Sequence, residues 1–287
     1  MPWKAVASPK FFRAGEEGKR QIAKSMAPVH RNKYITKHLV AHINERAPVI
    51  LKNAYGAGYS LSAIRQCVAG LMRVSFVCLR ELLADILAVR MLGFSFFVAH
   101  WQQLVTLYLW GETPIDLSTG YPSMELRLSV VLEHLTSDDY PGNIERFLEE
   151  SASDVSPLHH TDKTKARRLK AYIEDCRACL LTGRGISSPE TIEGEQNHRY
   201  DPVDKQLMDL LEAEIRTTIP KLFRIAKFLI PNKDCPGLTA RFFERIARLD
   251  NDLPPFCQDN DPKCFAEVMS ASWAYQFLHG EDRERAE

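Results

Sequence analysis

Apolar residues recur at intervals of three and four along most of this 287-residue chain, which is the spacing that places them on one face of an α-helix. The pattern is strongest in 202–229, where Pro220 predicts a kink. No run of alternating apolar and polar residues is long enough to predict a strand. The sequence therefore predicts an all-α fold, a multi-helix bundle with helices over 16–27, 32–57, 61–69, 75–92, 95–110, 122–136, 142–152, 162–182, 203–229, 237–250 and 263–280.

The segment 48–88 has the succession of helix, glycine turn, short helix, glycine turn and longer helix. We expect the first helix to end at Gly56 or Gly58, because glycine adopts positive φ at little cost. Gly70 is expected to end the short helix, and the Ser75 hydroxyl is expected to cap the third one. The segment is therefore interpreted as helix-turn-helix-like.

This segment resembles the small helix-turn-helix modules of plasmid and transposon accessory proteins. The likeness is a G-Y-S-L-x-x-I pattern, a glycine and then V-S-x-x-x-L-R, carried by Gly58, Tyr59, Ser60, Leu61, Ile64, Gly70, Val74, Ser75, Leu79 and Arg80. The resemblance implies a DNA-associated function. Residues 75–78 lack the Arg, Asn and Gln side chains that read base edges, so we expect mainly backbone contacts. The alternative is three helices of a larger bundle joined by tight turns.

Charge is balanced overall, with 37 basic and 37 acidic residues, but it is distributed unevenly. Residues 1–40 carry nine Lys or Arg against two Glu. A basic arm beside a helix-turn-helix-like unit suits phosphate contact, because Lys and Arg release counterions from nucleic acid. The alternative is a solvated tail. The candidate nucleic-acid-binding residues are Lys19, Arg20, Lys24, Lys52, Arg73, Ser75 and Arg80.

The chain has seven cysteines, an odd number that argues against a disulfide scaffold and favours a reducing, cytoplasmic location. Cys176 and Cys179 have the C-x-x-C spacing that could supply half of a tetrahedral zinc site. A second closely spaced pair is missing, and the alternative is that at least one of these thiols faces the core from the end of a helix. No cofactor is expected, with zinc at Cys176 and Cys179 as the alternative.

Residues 91–111 contain no charged side chain over about the length of a bilayer span. His100, Gln102 and Gln103 lie in the middle of this stretch, and unpaired polar groups are costly in hydrocarbon. A core helix whose polar groups are hydrogen-bonded in the interior is therefore expected, and no membrane partner.

The segment 183–201 is rich in Gly, Ser, Pro and charge, which is typical of a loop or linker. It separates a larger N-terminal region from a C-terminal helical region over 202–287. The N-terminal region comprises a basic arm over 1–40 and a helical domain over 41–182 that contains the helix-turn-helix-like unit.

Two functions follow from these patterns. The first is a DNA-associated accessory protein, of a mobile genetic element, that binds mainly through backbone contacts. The second is a helical scaffold or adaptor subunit of a larger protein complex with no direct nucleic-acid role.

G-x-S-x-G, P-loop and G-x-G-x-x-G motifs do not occur, so enzyme activity is not expected. Exposure of Lys52, Arg73 and Arg80 on one face would favour DNA, and burial of the 75–88 helix on all sides would favour the scaffold.

Overall fold

The structure is a computed structural model that describes residues 33–56, 60–106, 115–116, 119–182, 202–239, 241–255 and 262–284. Within these ranges the chain forms nine α-helices and no strand, apart from an isolated bridge between Ile115 and Pro122. The all-α prediction is confirmed. The predicted helix over 16–27 and the segment 183–201 lie outside the described residues. The helices are α1 (Lys33–Tyr55), α2 (Leu61–Leu92), α3 (Phe94–Thr106), α4 (Met124–Leu135), α5 (Ile144–Ala152), α6 (His160–Thr182), α7 (Pro202–Leu229), α8 (Arg241–Asp250) and α9 (Pro262–Glu284).

The segment 48–88 contains the first of its two predicted turns but not the second. α1 ends at Tyr55, and Gly56 follows with φ +71°. The predicted turn at Gly70 is wrong, because α2 continues through this residue without interruption. Ser75 is not a helix cap either, since its hydroxyl donates to the Leu71 carbonyl oxygen at 2.8 Å inside the helix.

The continuity of α2 follows from the relative size of two effects. Glycine inside a helix costs about 1 kcal/mol relative to alanine. Burial of one large aliphatic side chain contributes about 1.5–3 kcal/mol, and α2 carries a continuous buried stripe on both sides of the glycine. Several buried side chains therefore outweigh one glycine; they include Ile64, Val68, Leu71, Val74, Cys78 and Leu82.

The described residues belong to two compact units. Unit 1 takes its residues from 1–84, 111–123 and 189–224, and unit 2 from 85–110, 124–188 and 225–287. α2 and α7 each contribute residues to both units. The division expected from the sequence at 40, 182 and 202 stays a prediction.

Unit 1 has a core of regularly spaced aliphatic residues. On α1 the fully buried residues recur every four positions, at Leu39, Ile43, Ala47 and Leu51. α7 contributes a matching stripe, as its sequence predicts, with Leu207, Leu211, Ile215, Ile219 and Leu222 all buried. Side chains at such spacings lie on one helix face, so the remaining faces are left for polar groups.

Gly120 in unit 1 lies where only glycine fits. Its φ is +82°, and a Cβ atom there would lie 2.9 Å from the Val77 Cβ and 3.1 Å from the Val74 Cα. Gly56 also has positive φ, but a Cβ there would meet nothing within 4 Å. Replacing Gly56 would therefore introduce backbone strain alone, whereas replacing Gly120 would introduce both backbone strain and a steric clash.

Substitution Gly120→Ala is expected to reduce the free energy of unfolding by about 2–4 kcal/mol, because left-handed strain and overpacking act together. Gly56→Ala, the matched control, is expected to cost about 1 kcal/mol, from backbone strain alone. Urea denaturation followed by circular dichroism measures both. An equal decrease in the free energy of unfolding of the two variants would show that the close approach of α2 does not restrict the side chain at residue 120.

Unit 2 is a helical assembly in which α6 contacts α4, α5 and α9, and α9 also contacts α3 and α8. Its core includes Trp101, Leu128, Ile173, Phe242 and Ala274. Asp85 is buried in this unit, and its two carboxylate oxygens accept hydrogen bonds of 2.7 Å from the Arg127 guanidinium. This bidentate pair compensates the charge of a buried carboxylate.

Arg90 is fully buried in unit 2 and joins three chain segments. Its Nε donates to the Ile230 carbonyl oxygen at 2.8 Å, and one Nη donates to Asn232 Oδ1 at 2.7 Å. Its other Nη lies 3.3 Å from His134 Nε2. Burial first, and then the Arg90 charge, lowers the pKa of His134 from 6.5 to about 4. His134 is therefore neutral at pH 7 in the folded protein.

The lowered pKa of His134 predicts a loss of stability in mild acid. Below about pH 6.5 the unfolded chain takes up a proton at this residue while the folded chain does not, so stability falls as the pH drops toward 4, by up to about 1.4 kcal/mol per pH unit. Urea unfolding of His134→Gln between pH 4.5 and 7 should show a smaller slope than wild type. His159→Gln, at an exposed histidine, is the control, and an unchanged slope in His134→Gln would contradict the assignment.

The uncharged stretch over 91–111 is divided by Gly93, whose φ is +63°. In α3 the apolar side chains of Phe97, Val98, Trp101 and Leu104 are buried, as expected of a core helix. Gln102 and Gln103 are exposed, so the prediction that both amides are satisfied in the interior is wrong. The helical period places them on the outer face, away from the buried positions. None of the helices in the described residues is long and apolar enough to span a bilayer.

Candidate functional site

The predicted nucleic-acid-binding residues that the structure describes have unequal access to solvent. Lys52 is exposed on α1, and Arg73 is half-buried on α2. Arg80 is also half-buried, and its guanidinium pairs with the adjacent Glu81 carboxylate at 2.7 Å. Ser75 is fully buried, so its assignment as a phosphate contact is wrong. Lys19, Arg20 and Lys24 lie outside the described residues.

The predicted recognition helix is covered on every side near its start. Residues 74–79 are six consecutive buried residues of α2. An α-helix completes a turn in 3.6 residues, so six consecutive buried positions cover its whole circumference. A helix that reads DNA must present one face to a groove. This part of α2 has no such face.

Large apolar side chains are exposed at two helix ends in unit 2. Met91 is 61% exposed at the end of α2, and Phe228 is 84% exposed at the end of α7. Their neighbours Leu92 and Leu229 are exposed as well. The bond from Arg90 Nε to the Ile230 carbonyl oxygen holds these two chain segments together. We call these four residues the apolar ends.

The apolar ends were not singled out from the sequence, because the apolar residues of 202–229 were interpreted as one stripe and residues 91–111 were expected to form a core helix. Phe228 follows the buried Ala226 by two positions, which turns it about 200° around the helix. It therefore lies on the face opposite the core. The helical phase of Phe228 was the signal that could have revealed it.

The two thiols of the predicted zinc site lie near the end of α6. Cys176 is buried in the core of unit 2 and Cys179 is half-buried, which matches the alternative given by the sequence. Burial raises the pKa of both thiols, and zinc binds the thiolate. Within the described ranges, no cluster of three metal-binding side chains includes either cysteine. The geometry does not support zinc binding by this pair.

These environments predict that the cysteines differ in reactivity. Burial raises the pKa of Cys67 to about 12 and suppresses thiolate formation at Cys176 as well. Brief alkylation of the folded protein at pH 8, read by peptide mass spectrometry, should modify Cys176 and Cys67 at least about tenfold more slowly than Cys179. Urea-unfolded protein is the control, in which all three should react alike. Equal labelling in the folded state would contradict the buried placement of Cys176.

The metal-capable cluster in the described part of the chain lies in unit 1 instead. It comprises His38 and His42 on α1 and Glu214 on α7, with one ligand atom from each residue within 4.8 Å of the others. His42 Nδ1 lies 2.8 Å from Glu214 Oε1, and His38 Nδ1 lies 3.8 Å from Glu214 Oε2. None of the three residues was singled out from the sequence. The H-x-x-x-H spacing on α1 was the visible signal, but Glu214 is 172 residues beyond His42.

Unit 2 contains a cavity of about 640 Å³ with a largely aromatic lining, to which Trp101, Tyr172, Trp273 and Phe277 contribute. His279 also lines it, and its Nε2 lies 2.9 Å from Asp250 Oδ1. The lining hydroxyl of Ser272 donates to a carbonyl of its own helix at 2.9 Å. The cavity offers apolar contact area, and this serine hydroxyl is already engaged with the backbone.

Comparison of the chain with protein-family models, with curated proteins and with solved structures finds no match. Any functional interpretation therefore depends on the geometry of the described residues.

Proposed function

We propose that this chain is a helical scaffold or adaptor subunit of a larger protein complex and has no direct nucleic-acid role. The observation that carries the proposal is the burial of residues 74–79 around the whole circumference of α2. The DNA-binding hypothesis needs this helix at the surface, with a basic face toward the phosphates. The burial of residues 74–79, together with the pairing of the Arg80 charge to Glu81, favours a structural role for the start of the predicted recognition helix.

The apolar ends support a protein partner. Aromatic residues and Met are enriched where proteins bind one another, and charged residues are depleted at the centre of such interfaces. Phe228 is more than four-fifths exposed, and its burial against a partner would contribute about 1.5–3 kcal/mol. Met91, Leu92 and Leu229 are further exposed apolar side chains at the same two helix ends. We propose this surface as the contact with a partner subunit.

Affinity purification of the full chain from its source cells, after mild cross-linking, tests the partner surface. Wild type is expected to recover one protein in a fixed ratio, and the double variant Phe228→Asp/Leu229→Asp is expected to lose it, because a charge at a buried contact stays uncompensated. Val155→Asp is the matched control, since Val155 is 93% exposed elsewhere in unit 2. Circular dichroism confirms the folding of each variant. Undiminished recovery by the double variant would contradict the proposed contact.

A DNA-binding titration of the intact protein tests the other part of the proposal. With unrelated duplexes at low salt, with and without the recovered partner, we expect no binding tighter than about 10⁻⁴ M. Tighter binding that weakens with salt, and that Lys19→Ala/Arg20→Ala/Lys24→Ala abolishes, would make the DNA-associated accessory protein the better account. The basic arm would then carry the contacts, without α2.

A further inference from the structure

We propose that His38, His42 and Glu214 form a binding site for a divalent transition metal ion, with Zn²⁺ as the ion that the ligand set suits best. The proposal concerns unit 1 alone and does not depend on the scaffold function. It goes beyond the zinc site expected from the sequence, because it uses none of the cysteines.

The two histidines are positioned by the helix itself. Residues four apart on an α-helix share one face, so α1 presents both imidazoles on the same side. The rings are stacked, with centroids 4.4 Å apart and an interplanar angle of 29°. α7 supplies Glu214 opposite them, and its carboxylate oxygens lie 2.8 Å from His42 Nδ1 and 3.8 Å from His38 Nδ1. Ligand atoms around a tetrahedral zinc ion are separated by about 3.4 Å. The three side chains therefore need only small rotations to enclose an ion.

The Glu214 carboxylate supplies an independent indication of a ligand. Glu214 is only 5% exposed, and its Oε1 is paired with His42. Its Oε2 is also buried and has no hydrogen-bond partner. The nearest imidazole nitrogen of His38 is too distant for a hydrogen bond. A buried carboxylate oxygen without a donor is costly, and a bound cation removes that cost.

The donor types and their exposure decide which ion fits. Two imidazole nitrogens and one carboxylate oxygen are typical ligands of zinc, whereas Mg²⁺ and Ca²⁺ prefer oxygen ligands throughout. The side chains of His38 and His42 are 44% and 40% exposed, so an ion can reach them from solvent. Three protein ligands leave a fourth position for water, as in zinc sites that are open on one side.

Zinc titration of the chelator-treated full chain, in competition with a chromophoric chelator, tests the proposal. We expect one equivalent of Zn²⁺ to bind, and Glu214→Gln and His42→Ala to weaken that binding at least about 100-fold, because each removes a ligand. His159→Ala is the matched histidine control, and Cys176→Ser/Cys179→Ser is the thiol control. Neither is expected to change the affinity. Co²⁺ in place of Zn²⁺ should give a spectrum without thiolate-to-metal charge transfer.

His38→Ala distinguishes the loss of a metal ligand from the loss of the folded structure. His38 is partly exposed and lies 3.8 Å from Glu214, so its replacement is expected to leave the chain folded. Zn²⁺ should raise the melting temperature of wild type but not that of His38→Ala, since a ligand stabilises the state that binds it. Absence of micromolar Zn²⁺ binding would overturn the proposal and leave the cluster as an ion pair. Binding that survives Glu214→Gln and His38→Ala, or is lost only in the cysteine variant, would overturn it as well.

Discussion

Burial of the middle of α2 is the constraint on which much of the structure depends. Residues 74–79 are buried around the whole circumference of the helix, and Asp85 and Arg90 further along it are buried as well, so the polar groups of Ser75, Asp85 and Arg90 need partners inside the protein. Ser75 returns its hydroxyl to the backbone of its own helix. Asp85 pairs with the Arg127 guanidinium, and Arg90 donates to groups that follow α7. These interactions determine which segments lie beside α2.

The helices could be predicted from the sequence because the apolar period is a local property. The turn at Gly70 was predicted wrongly because the local cost of glycine in a helix is small beside the burial of the residues around it, and that burial is a property of the fold. Burial also explains the wrong prediction for Ser75. Serine is a residue type that commonly caps helices, but this serine lies inside the core. Gln102 and Gln103 were expected in the interior, yet the phase of α3 places both outside.

The two surfaces proposed for function could be predicted from the sequence to different degrees. The exposure of Phe228 follows from its position around the helix, about 200° from the buried Ala226. A helical projection of α7 would have identified it. The spacing of His38 and His42 places two imidazoles on one face of α1. Glu214 has no local signal, because a glutamate in an amphipathic helix is ordinarily solvated. Only the approach of α7 places this carboxylate beside the two histidines, and the sequence does not encode that approach in any short pattern.

The buried Arg90 side chain has a consequence for how this sequence can vary. Its guanidinium is a planar fork whose separate nitrogens reach Ile230, Asn232 and His134 from one position. A lysine ammonium carries the same charge at a single point and cannot reproduce that geometry. Lysine in place of Arg90 would preserve the net charge of the chain while leaving acceptors in the interior without a donor. At residue 90, shape and not charge therefore decides which of the two basic amino acids evolution can use.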